Sequence, residues 1–346
     1  MRAFEPVSDI LNEAVTTGLI PGFVAVAGVG QDVRYLYHGG QAQVYAERRP
    51  MREDTLFDVG SLTKVMATLP SALILIERGC FSVDTPLSTF FPQYARGPKC
   101  RVCIGHLLTH TAGLKVPKPP LWERFSQRNE IVEAALAQSI ENEPGTVVQY
   151  SDVGFIILGE LIERVTGTSL DRWVEGQVFR PLEMHDTRYA PWSVTNVAAT
   201  EVRDGNPTVG VVHDKTAGAM QAVAGHAGLF STAMDVAHYL MVWAGASKLI
   251  DDRLLDQAVL PKTPETNGNR GWGWVLRGDS QDISREGWPS TVASHTGFTG
   301  TSIVFDRPSH TWACLLTNRV HYGRDVNIAT LRRRFHSALG SAFFNG

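Results

Sequence analysis

Strand-like runs gather at the two ends of this 346-residue chain, and the stretch between them reads as one helical pattern after another. Residues 23–29 and 33–39 are rich in β-branched and aromatic side chains and meet at Gly30-Gln31-Asp32, a hairpin signal. Strand character returns only at 272–277, 291–295, 302–306 and 311–318. Helical periods fall at 62–78, 104–110, 129–140, 153–166, 170–177, 232–244 and 251–258, with further helices at 8–18 and 325–341. A lone two-stranded hairpin is marginal in water. The remote ends should therefore pair, giving an α+β molecule with one antiparallel sheet flanked by helices. Residues 1–60 and 266–346 would form a discontinuous α/β domain, and residues 61–265 a mostly helical one. No internal repeat or low-complexity tract interrupts the pattern.

Ser61-Leu62-Thr63-Lys64 opens the most hydrophobic run of the chain, residues 65–76. Gly60, then a small polar residue, then periodic apolar residues, reads as a helix start. Positions i and i+3 share a helix face, so the Lys64 amine would lie over the Ser61 hydroxyl. A serine hydroxyl is a poor nucleophile until a neighbour takes its proton, and a desolvated lysine can do so. No other lysine in the chain has a serine three residues before it. A chance S-x-x-K is nevertheless expected at this length, so its companions decide.

The first companion is Tyr150-Ser151-Asp152, delivered by the loop Glu143-Pro144-Gly145-Thr146 and followed by the helical pattern from Val153. A phenol beside a protonated lysine is pushed towards phenolate and can serve as general base and then general acid. The second is His295-Thr296-Gly297, then Phe298 and a glycine corner into the run 302–305. Main-chain N–H groups at such an edge can join those of a helix start to hold an oxyanion, which nominates Ser61 and Phe298 as donors.

In this order and spacing the three elements resemble the serine β-lactamase and penicillin-binding-protein superfamily, most closely its class C branch with its esterase-like and D-aminopeptidase-like members. Leu56-Phe57-Asp58-Val59-Gly60, Leu107-Leu108-Thr109-His110-Thr111-Ala112-Gly113-Leu114 and Gly225-His226-Ala227-Gly228 are similar to that branch too. The resemblance runs from about residue 7 to the C-terminus. It implies a β-lactamase/transpeptidase-like fold with the site in the seam, and a serine acyl hydrolase working through a Ser61 acyl-enzyme. It implies Ser61, Lys64, Tyr150, Asp152 and His295 as catalytic residues, with Thr296, Gly297 and Phe298 binding substrate. The segments 117–125 and 191–225 would border the mouth.

Two departures bear on substrate. Asp152 stands where asparagine is common, and His295 where β-lactamases usually carry lysine. An ionised aspartate only accepts hydrogen bonds, and beside Lys64 it favours the ammonium, shifting the role of base towards Tyr150. Loss of a lysine removes a fixed cation for a substrate carboxylate. Both point to a neutral ester or amide, in the manner of a carboxylesterase. A β-lactamase or D-alanyl peptidase remains an alternative, as do an acyltransferase, a penicillin-binding sensor without turnover, and a protein-contact role for an idle cleft. The intact Ser61, Lys64 and Tyr150 argue against the last.

Composition excludes other classes. A net charge of -3 gives no footprint for nucleic acid. Arg332-Arg333-Arg334 reads as a solvated helix face, and residues 65–76 are too short to span a membrane. Residues 1–6 lack a secretory core, so a cytoplasmic location is expected, with a periplasmic or secreted one left open if a leader has been removed. His106 and His110 have zinc-ligand spacing, but Leu107 replaces the glutamate a metalloprotease needs, and Cys100-Arg101-Val102-Cys103 has no second pair. No metal, nucleotide or flavin is expected, and the partner is a small ester, amide or peptide substrate. His213 and His226 are left without a role.

Overall fold

Gly22–Val29 reads GFVAVAGV, apolar throughout, because both of its faces are covered. It pairs antiparallel with Asp32–Gln43 on one side and Thr311–Thr317 on the other, setting Val26 opposite Cys314. The two ends of the chain thus close into one seven-stranded sheet. Its order is Arg49–Pro50, Asp32–Gln43, Gly22–Val29, Thr311–Thr317, Ser302–Asp306, Ala293–Thr296 and Val275–Leu276. The computed structural model describes residues 2–191, 193–284 and 286–345.

Alternation along the strands sorts the core into two layers. Phe23, Ala25, Ala27, Ala313 and Leu315 pack on the side of the terminal helices Glu5–Thr16 and Ala329–Phe344. Val24, Val26, Cys314 and Leu316 belong to the larger core with Leu62, Val65, Leu69 and the helix Ala233–Trp243. Trp274 is fully buried there, edge-on to Trp243 and Phe305 at 4.9 and 4.8 Å. The helix Asp152–Thr166 is buried along most of its length. Each fully buried large apolar side chain in such a core contributes roughly 1.5–3 kcal/mol.

Two local features differ from the sequence expectation. The single helix expected over 62–78 is a π-turn, Lys64–Thr68, running into an α-helix, Leu69–Glu77. Pro70 explains it: proline offers no N–H and its ring crowds the carbonyl four residues back, so the preceding turn widens. Short strands also occur within the mostly helical stretch 61–265, where none was expected. Leu229–Ser231 pairs with Phe57–Asp58 and with Arg188–Tyr189, and Val202–Arg203 with Asn206–Pro207. Runs of two or three residues are too short to show a period. The first of these small sheets fixes Asp58, which leads into the Ser61 turn. All four cysteines are free, and among the described residues no helix is long and apolar enough to cross a membrane.

Candidate active site

Two glycines allow the site to assemble. Gly60 has φ +57°, and a Cβ there would sit 3.1 Å from Thr299 Oγ1 and 3.2 Å from the Phe298 nitrogen. A Cβ on Gly297 would meet the Val59 carbonyl oxygen at 2.3 Å. With both side chains absent, the 297–301 turn closes onto the 58–60 turn. Thr299 Oγ1 donates to the Asp58 carbonyl at 2.7 Å and Thr301 Oγ1 to the Val59 carbonyl at 2.8 Å. Among the described residues, neither the Ser61 nor the Phe298 N–H donates to another main-chain group. Two free N–H donors on adjoining turns are what a developing oxyanion requires.

Lys64 is fully buried and its amine makes three hydrogen bonds: to Ser61 Oγ at 3.0 Å, Asp152 Oδ1 at 2.7 Å and the His226 carbonyl at 3.0 Å. Burial alone would depress the amine. The adjacent Asp152 and Tyr150 outweigh it and hold Lys64 above the ordinary lysine value. It is therefore an ammonium at neutral pH. Ser151 caps its helix by accepting from Val153 N–H, which puts Asp152 in the first turn with its carboxylate on the lysine. The His226 ring bonds Asp214 at 3.0 Å, and ligand atoms of Asp152, Asp214 and His226 lie within 4.8 Å of one another. That is a metal-sized set. The Lys64 ammonium already supplies its positive charge, so the donors fit a lysine better than an ion.

The Lys64 amine lies 5.1 Å from the Tyr150 ring centroid. His110, expected only to end a helix, packs on that ring at 4.5 Å, and its Nδ1 accepts the Ser151 N–H at 3.3 Å. Burial, then the charges of Arg270 and Lys64, keep His110 neutral, as an acceptor must be. His295 lies 6.3 Å from Tyr150, ring to ring. Burial, with Lys64 and Arg270 nearby, pushes its pKa down to about 3. His295 is a neutral imidazole at any ordinary pH.

Ser61 and Tyr150 line two adjoining hollows. One, about 520 Å³, is walled by Pro120, Trp122, His213, Asp214 and Phe298, so residues of both irregular segments do reach the mouth. The other, about 240 Å³, is bordered by His295, Thr296, Gly297, Phe298, Arg319 and Arg332. Here the sequence reading needs correction. Arg332 is not on a solvated helix face: its Nη2 donates to the Gly297 and Thr301 carbonyls at 2.6 and 2.9 Å. Arg319 grips the Phe298 carbonyl through Nε and Nη2 at 2.9 and 2.5 Å. Among the described residues neither guanidinium has a carboxylate partner, and burial lowers Arg332 to about 9. Two arginines, one from the C-terminal helix and one following the last strand, thus border this hollow.

Residues 7–337 match the model of a family described as Beta-lactamase. A putative D-alanyl-D-alanine carboxypeptidase of Salmonella agona (strain SL483) is 32% identical over 308 residues, 78% of this chain and 70% of that protein. The N-acetylmuramyl-L-alanine amidase of Bacillus subtilis (strain 168) is 30% identical over 363 residues, 92% of this chain and 82% of that protein. Among solved structures, EstCE1, a hydrolase with promiscuous acyltransferase activity, superimposes with a TM-score of 0.79 at 21% identity, covering 97% of this chain and 98% of that one.

Proposed function

For a chain that belongs to the Beta-lactamase family and is a serine hydrolase, we propose that Ser61 forms an acyl-enzyme with an amide or peptide that carries a carboxylate beside the scissile bond. The observation that carries this reading is the hollow next to Ser61 with two guanidiniums lacking carboxylate partners. It reverses the preference for neutral substrates that His295 and Asp152 suggest in sequence. An anion there gains charge-assisted hydrogen bonds and relieves an uncompensated buried charge.

In this account Ser61 Oγ attacks the carbonyl while its proton passes to the Tyr150–Lys64 pair. Lys64 stays an ammonium and holds Tyr150 towards phenolate, with Asp152 fixing the amine in place. The oxyanion rests on the Ser61 and Phe298 N–H groups. Tyr150 returns the proton to the leaving amine, and water admitted to the hollow releases the acyl group by the reverse proton path. His295 stays neutral and shapes the edge.

The relatives named as a D-alanyl-D-alanine carboxypeptidase and a muramyl-L-alanine amidase favour peptide amides. A second reading, neutral ester hydrolysis, draws on Asp152 and Asp214 in the larger hollow, which disfavour an anionic acyl side. Turnover of a D-alanyl-D-alanine peptide, nitrocefin and nitrophenyl acetate by the wild type and Arg332→Gln separates the two. Arg332→Gln should cost roughly tenfold to a hundredfold more in kcat/KM for the first two than for the acetate, which shares with them only the support that Arg332 gives the 297–301 turn. Equal loss on all three, or acetate alone as substrate, contradicts the carboxylate reading.

A further inference from the structure

Asp58 lies directly beneath the Ser61 turn and touches neither hollow. The residue is 3% exposed. Oδ1 accepts the Gly60 N–H at 2.8 Å, and Oδ2 accepts the His213 N–H at 2.7 Å, from a residue 155 positions later. Its own carbonyl accepts Thr299 Oγ1. One residue thus joins the nucleophile turn, the His213 wall and the turn that carries Phe298.

We propose that Asp58, as a carboxylate, is the positioning residue of the oxyanion site: by holding the Gly60 N–H it fixes the Val59–Gly60 peptide, and through it the turn that aims the next N–H, that of Ser61, alongside that of Phe298. The inference rests on the acyl-enzyme reading of Ser61. The Gly60 carbonyl is held separately, by the Thr63 N–H at 3.0 Å and Thr63 Oγ1 at 2.7 Å, so Asp58 restrains the other side of a glycine whose φ of +57° would otherwise leave it wide conformational freedom. An ionised carboxylate accepts both N–H groups, whereas an asparagine amide or a protonated acid turns one oxygen into a donor facing a donor.

Burial raises the Asp58 pKa to about 6, against the two N–H bonds that lower it. Of the charges facing it, Asp214 raises it further and Arg203 lowers it. His213 meets it only through its main chain, with its imidazole paired to Glu201 at 3.1 Å. A folded pKa above the unfolded one means that stability is greatest below the unfolded value and falls as pH rises through about 6. Ionised Asp58 is therefore kept at a cost to stability.

The test is the rate at which a fluorophosphonate labels Ser61 between pH 5 and 8, in wild type, Asp58→Asn and Ser61→Ala. Wild type should slow below about pH 6. Asp58→Asn should lose that limb and label roughly tenfold to a hundredfold more slowly at pH 7.5, through the maximal rate and not through inhibitor affinity. Unchanged labelling in Asp58→Asn, or a fall in affinity alone, overturns the inference while leaving the Ser61 reading intact. If Asp58→Asn does not fold, the wild-type profile decides, and a flat profile overturns it. Labelling that survives in Ser61→Ala overturns the acyl-enzyme reading itself.

Discussion

The three acceptors around the Lys64 amine decide how protons move. In the proposed mechanism an ammonium bonded to Asp152 at 2.7 Å does not start as the base, and Lys64 and Tyr150 work as one unit. Residues that act as a unit are strongly non-additive. Lys64→Ala and Tyr150→Phe should each lower kcat by roughly a thousandfold, and the double variant by little more. Losses that add in logarithm would mean two separate roles. Ser61, Lys64 and Tyr150 were legible in sequence because each sits in a local motif with its own chemical signature. Asp58, His110, Arg319 and Arg332 were not. Their parts in the site arise from contacts with residues far away in the chain, such as Arg332 with Gly297, and a short window carries no trace of these.

At the scale of elements, the site depends on turns approaching closely, not on regular structure. The 297–301 turn and the 58–60 turn leave no space for a side chain at position 297. A Cβ there would lie 2.2 Å from Thr301 Oγ1 and 2.3 Å from the Val59 carbonyl. Gly297→Ala should destabilise the fold by about 2–3 kcal/mol and abolish turnover, read by urea denaturation and by kcat on one preparation. Wild-type stability in this variant would show that the two turns are not held together. The widened Lys64–Thr68 turn before Pro70 belongs to the same scale. Periodicity marked residues 62–78 as helical, and only the proline hinted that the first turn would differ.

Across the whole molecule, the pairing of Gly22–Val29 with Thr311–Thr317 brings the chain ends together and holds His295 beside a site built from residues 58–64 and 150–152. The alternating runs and the helical middle made this sheet legible in sequence. The short strands at 188–189 and 229–231 lie below the length at which a pattern can be read. Burial also sets the acid response. His295 and His336 are each pushed down to about 3, and His110 is well below its ordinary value. All three bind a proton on unfolding near pH 5, so their contribution is present above about 6.5 and lost as pH falls. Each removes up to about 1.4 kcal/mol per pH unit in that window, partly offset by Asp58, whose shift has the opposite sign. Urea midpoints should fall steeply between pH 6.5 and 4; constant midpoints would contradict the burial of these rings as neutral groups.

The central claim is a covalent acyl group on Ser61, and intact-mass spectrometry with peptide mapping reads it directly. Wild-type protein exposed to a fluorophosphonate and, separately, to a penicillin should gain one adduct, mapped to the peptide containing Ser61, and Ser61→Ala should gain none while keeping its circular dichroism. An adduct on any other residue, or one that persists in Ser61→Ala, would contradict the account.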